Sequence, residues 1–204
     1  MVPDQVRIDR WLHVFHGYQA RGSMPTMQFV YLPSDHSAGT TPRARRPDAM
    51  VADNDLALGR LVEAVSHSSF WGSTAIFAVE DDAQDGPDHV DAHRSTAFVI
   101  SPYTQTGTID STFYSSVSVL RTMELILGVA PMSQFDAVAT PMSAAFSSTP
   151  NLRPYTAVVP GVNLFAKNTF QSPMATASLR IDLSDPDLIP MRLMNRILWK
   201  AMRG

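Results

Sequence analysis

The sequence predicts an α/β fold with a mostly parallel sheet. Three short apolar runs, MQFVYLP (27–33), TAIFAVE (74–80) and TAFVIS (96–101), alternate with stretches of helical periodicity. The second run is nearly all apolar, the pattern of a strand covered on both faces, and the third is apolar too. The order strand, helix, strand, loop, strand, helix is the one that parallel neighbours require. At 204 residues and 45% hydrophobic, the chain suits one domain of ordinary size.

The elements follow in order. Residues 4–21 form an amphipathic helix, with Ile8, Trp11, Leu12, Phe15 and Tyr18 at three- and four-residue steps, Asp4 able to cap its start and Gly22 after its end. The first strand stops at Pro33, and SDHSAGTTPRARRP is a loop without periodicity. Asp48 to His67 is helical again, with Leu58, Leu61, Val62 and Val65 on one face. The third strand closes at Pro102, and residues 115–127 make a helix ended by Gly128. Beyond about residue 130, prolines at 131, 141, 150, 154, 160 and 173 interrupt any long element, so this stretch is expected to wrap over a surface. The segment from 185 to the end is a helix with Leu193, Ile197, Leu198 and Met202 on its apolar side. The expected organisation is one domain over 1–204, with an α/β portion to residue 130 and a proline-rich wrap plus helix after it.

Composition removes several functions. Cysteine is absent, which excludes thiol catalysis, disulfides, zinc-thiolate and iron–sulfur sites. A metal would be held by Asp, Glu, His and backbone oxygens. A net charge of −3 argues against a general nucleic-acid binder. No run of apolar residues is long enough for a transmembrane helix, and Asp4 and Asp9 interrupt the apolar core that a signal peptide would need. There is no GxSxG elbow, phosphate-cradling glycine loop or dinucleotide fingerprint.

Two polar windows follow expected strands. The first is Asp35-His36; the second is Glu80-Asp81-Asp82, continuing through Asp85, Asp88, His89, Asp91 and His93. Parallel strands would set both windows at one sheet edge, where ligand sites of α/β folds gather. No Lys or Arg stands between Arg60 and Arg94, so the second window's carboxylates repel one another unless cations or protons intervene. A divalent ion satisfies them, with His89 and His93 as nitrogen ligands. Mixed sets suit zinc, manganese or iron, and an all-carboxylate subset suits calcium or magnesium. The same composition also describes a solvated acidic loop. His13, His16 and His67 read as surface or helix-terminal residues, and Asp53-Asn54-Asp55 as a solvated helix face. Arg43, Arg45 and Arg46 suit a phosphate or a docking patch.

The runs LPSDHSAGTTP, MVADNDLALGRLVEAVSHSSFW, TAIFAVEDDAQDGPDHVDAHR, VISPYT and DSTFYSSVSVLRTMELILG resemble bacterial phosphoesterases of the alkaline phosphatase superfamily, of the type often fused behind a β-propeller. The resemblance runs from about residue 3 to the closing ILWKAMRG. It implies a partial alkaline-phosphatase-like sandwich with helices on both sheet faces and a divalent metal site of zinc, manganese, iron or calcium. The implied metal ligands are Asp35, His36, Glu80, Asp81, His89 and His93, with Arg43 and Arg94 toward substrate. The substrate implied is a phosphate-ester small molecule or a phospholipid. The family's nucleophile belongs to a portion upstream of these motifs. Ser37, Thr40 and Thr41 do not occupy its position, so the expectation is a C-terminal part of the catalytic domain, partnered by that portion or by a propeller. A non-catalytic metal-binding module or inactive fragment is the alternative. Relatives are usually exported.

Overall fold

The computed structural model describes residues 2–80, 95–184 and 188–203. In chain order the elements are α1 (Asp4–Arg21), α2 (Pro47–Ser66), a 3-10 turn (Trp71–Ser73), β1 (Ile76–Val79), β2 (Ala97–Ile100), α3 (Ser116–Leu127), α4 (Gln134–Val138), a second 3-10 turn (Ser143–Ala145), α5 (Ala175–Ser178) and α6 (Met191–Arg203). They fall into two compact units. One takes the described residues up to 69 and from 154 onward, and the other takes 70–80 and 95–153.

The first unit is helical. Its core gathers Ile8 and Phe15 of α1, the α2 residues Ala49, Met50, Ala57, Leu61, Val62 and Val65, and Met194 and Ile197 of α6. α1 packs on α2, and α6 on both α2 and α5. Phe15, Ile8 and Ile197 are wholly buried, each contributing about 1.5–3 kcal/mol by removal from water. α1 ends as expected at Gly22, whose φ of 66° admits the left-handed turn. The N–H of Gly22 donates to Gln19 O and that of Ser23 to Tyr18 O, closing the two-bond stop of a Schellman turn. Its start differs from expectation: Pro3 is the cap residue, and Asp4 lies inside the first turn, buried. Proline opens α2 at its first helical position, where the missing N–H costs nothing.

In the second unit, β1 and β2 pair antiparallel, with Ile76 opposite Ile100 and Val79 opposite Ala97. The mixture of helix and sheet agrees with the expected class, but among the described residues the sheet is this two-stranded antiparallel ladder. A parallel pair needs a crossover, usually helical. The intervening EDDAQDGPDHVDAHR carries no apolar stripe with which such a helix could pack. The strands are not covered on both faces either, since Val79 and Phe98 are exposed. α3 is capped at Ser115, which exchanges hydrogen bonds with Ser118, and it ends at Gly128 with φ 67°. α4 packs on α3.

The expected strand at 27–33 does not form; the segment is irregular, with Phe29 and Tyr31 exposed. Its β-rich composition finds no backbone partner among the described residues, and an unpaired run has no ladder to hold it. No described helix is long and apolar enough to cross a membrane.

Candidate functional site

Asp35 and His36 follow a residue that is locked in place. Ser34 is fully buried between two helices. Its N–H donates to Asp4 Oδ2 at 2.8 Å, and its hydroxyl donates to Asp53 Oδ2 at 2.7 Å. The Asp4 N–H donates to the same Asp53 oxygen at 2.8 Å, while Asn54 Nδ2 reaches Asp4 Oδ2 at 3.2 Å and Leu32 O at 2.5 Å. Arg45 Nη1 completes the group at 3.0 Å from Asp53 Oδ2. Arg45 also donates through Nε to Leu164 O and through Nη2 to Ala49 O. Arg7 Nε lies 3.4 Å from Asp4 Oδ1, so two buried carboxylates face two guanidinium groups.

Burial pushes the Asp53 carboxyl up, but the Ser34 hydroxyl, the Asp4 N–H and the Arg45 guanidinium together hold it below the ordinary carboxylate value. It is therefore ionised at neutral pH. A charged, fully hydrogen-bonded anchor of this kind fixes the backbone on either side of Ser34. Beyond it the chain turns, with His36 N–H donating to Pro33 O, and both Asp35 and His36 are exposed to solvent.

Four residues after His36, Thr40 is buried and its hydroxyl has no hydrogen-bond partner among the described residues. Thr40 lines a cleft of about 350 Å³ together with Arg46, Lys167, Thr169 and Ser172. The three arginines of this loop divide their tasks. Arg45 is bound into the buried network, Arg46 grips Asp48 through two hydrogen bonds of 3.0 and 2.6 Å, and Arg43 is exposed at a φ of 71°. Of the three, Arg43 alone forms no ion pair with a described carboxylate.

Glu80 belongs to the second unit and extends the β1–β2 ladder. Its N–H donates to Thr96 O at 3.0 Å, and its exposed carboxylate accepts from Thr96 N–H at 3.3 Å. Asp81, His89, His93 and Arg94 lie outside the described residues. Among the described residues no three His, Asp or Glu side chains are gathered in a metal-holding group. Among the described residues neither a 27–33 strand nor a parallel neighbour exists to set the two windows at one sheet edge. Asp35, His36 and Glu80 are exposed oxygen and nitrogen donors of the types that hold divalent ions, and each sits on a hydrogen-bonded frame.

Asp53 corrects the reading of a solvated Asp53-Asn54-Asp55 face. Asp53 is 1% exposed, whereas Asp55 is exposed. The signal was present in the spacing, since Asp53 stands four residues after Ala49 and four before Ala57, both wholly buried. His67 does terminate its helix, with Nδ1 at 2.9 Å from Glu63 O, and His13 and His16 are exposed.

A model of the Phosphoesterase family matches residues 4–130, which is more than half of the chain and spans both polar windows. The chain belongs to the Phosphoesterase family. Comparison with curated proteins and with solved structures finds no match.

Proposed function

We propose that this protein is a metal-dependent hydrolase of phosphate esters, of the alkaline-phosphatase type. The observation that carries the reading is the family match across both polar windows. The candidate ligands are Asp35 and His36 in the first window and Glu80, Asp81, His89 and His93 in the second. When bound, a divalent ion such as zinc, manganese, iron or calcium supplies a Lewis acid for phosphoryl oxygens and lowers the pKa of a coordinated hydroxyl. The chain's own residues do the positioning. The Asp4–Ser34–Asp53–Arg45 group holds the Asp35-His36 turn rigid, which limits the reorganisation that a ligand or substrate contact costs. Arg43, exposed and without an ion pair to a described carboxylate, has the fork that matches two phosphate oxygens, and Arg94 is assigned the same task. The substrate is a phosphate-ester small molecule or a phospholipid headgroup.

The test is metal content and turnover measured together, on the wild type and on Asp35→Ala, His36→Ala and Asp81→Ala. Bound divalent metal that chelation removes and that falls in each variant is the expected result, and hydrolysis of p-nitrophenyl phosphate that stops on chelation adds the catalytic step to it. Metal content unchanged in all three variants overturns the ligand assignment. Bound metal with no turnover on mono- or diesters selects a non-catalytic metal-binding module instead.

A further inference from the structure

The C-terminal helix α6 carries a feature that the phosphoester reading does not use. Arg192, Arg196 and Lys200 follow one another at four-residue steps, and Arg203 comes three residues later. That spacing places them on one face of the helix, about 16 Å long. All four are exposed, and none forms an ion pair with a described carboxylate. The whole chain has a net charge of −3, yet α6 holds four positive charges and no acidic residue. Trp199, seven residues after Arg192 and so nearly in line with it, borders this face and is 63% exposed. The Arg203 guanidinium stands 5.2 Å from its ring centroid. Met202, three residues on from Trp199, is also exposed.

The opposite face is committed. Met194 and Ile197 are buried in the core of the first unit, so α6 stays seated while it presents its basic face outward. Four cations gathered on one face, none in an ion pair with a described carboxylate, make a positive patch that an anionic partner would neutralise. A large exposed indole inside such a field is the side chain that settles at a lipid–water boundary, with its ring among headgroups and its N–H toward water.

We propose that this face of α6 docks the protein onto an anionic lipid surface. Charge complementarity supplies the attraction, and Trp199 with Met202 supplies shallow insertion. The helix face is convex, and its cations end long flexible chains. Laterally mobile headgroups can adapt to such a face, whereas a folded acidic protein would have to match it with a preformed concave surface. The inference is independent of the hydrolase reading.

The experiment uses the full chain and vesicles of phosphatidylcholine with or without phosphatidylglycerol, at low and at high salt. The expected result is sedimentation with the anionic vesicles only, weakened by salt, and a blue shift of tryptophan fluorescence that Trp199→Phe removes. Each basic residue near an anionic surface is worth about fivefold in partitioning. The triple variant Arg192→Gln, Arg196→Gln, Lys200→Gln should therefore lose about a hundredfold, with an unchanged thermal midpoint because these side chains are exposed. Absence of binding to anionic vesicles at low salt overturns the proposal, as does equal binding to pure phosphatidylcholine or full binding by the triple variant. Binding to polyglutamate without binding to vesicles overturns it in favour of an acidic protein partner.

Discussion

Asp53 shows how much a single buried charge can organise. Its carboxylate accepts from the Ser34 hydroxyl, the Asp4 N–H and Arg45, and so ties the start of α1, the turn before Asp35 and the first half of α2 together. Removing one partner of a buried ion pair leaves the other uncompensated, so Asp53→Asn is expected to cost about 3 kcal/mol in chemical denaturation. The pH dependence has a defined sign. The folded carboxyl lies below its ordinary value of 3.8, so its charged form favours the folded state. That contribution is complete above about pH 4 and is lost as pH falls through the lowered folded value. Thermal midpoints measured from neutral pH downward should therefore drop less steeply below pH 4 in Asp53→Asn than in the wild type. Equal slopes would mean that another carboxylate controls acid unfolding.

Among the elements, two glycines with similar backbone angles separate strain from crowding. Gly39 (φ +57°) and Gly128 (φ +67°) both occupy the left-handed region. A Cβ on Gly128 would meet open space, so Gly128→Ala should cost only the backbone penalty, about 1 kcal/mol. A Cβ on Gly39 would lie 2.8 Å from Ser178 Oγ and 3.1 Å from Ile197 Cγ2. Ser178 is itself engaged, accepting from Thr40 N–H at 3.1 Å and donating to Ala38 O at 3.2 Å. Gly39→Ala is therefore expected to cost about 2–3 kcal/mol or more, since the Cβ adds a steric clash to the strained backbone. Equal losses in the two variants would show that the Ser178 hydroxyl and α6 yield without cost. The helices were the most legible elements, because apolar residues at three- and four-residue steps and glycine at the end mark a helix locally. α1 runs from Asp4 to Arg21 and α3 ends before Gly128, as that pattern requires. The strands were less legible: an apolar run states a preference, while pairing and direction depend on which other run reaches it.

For the whole molecule, metal removal is the decisive perturbation. An ion bound only by the folded chain raises its stability, so the chain loaded with zinc or manganese should melt higher than the chelated one, with the difference growing with free metal. A midpoint unaffected by metal would set aside Asp35, His36, Glu80, Asp81, His89 and His93 as ligands together. Acidic and basic groups are also segregated along the chain: the second window is acidic without a Lys or Arg, and α6 is basic without an acidic residue. Such separation creates local fields that a net charge of −3 conceals.

The sequence by itself determined the four longer helices, the glycine stops after α1 and α3, the absence of thiol chemistry and the two polar windows. Each depends on residue type and local spacing, which chain neighbours decide. Membership of the Phosphoesterase family was legible in the same way, as runs of residues in order. Only the tertiary structure decided that β1 and β2 run antiparallel, that 27–33 forms no strand, and that Asp53 and Arg45 are internal supports of the Asp35-His36 turn. These outcomes depend on partners distant in sequence: Asp53 on Asp4 and Ser34, and the 27–33 run on a ladder partner absent among the described residues. A buried polar group survives only where the fold brings it such partners.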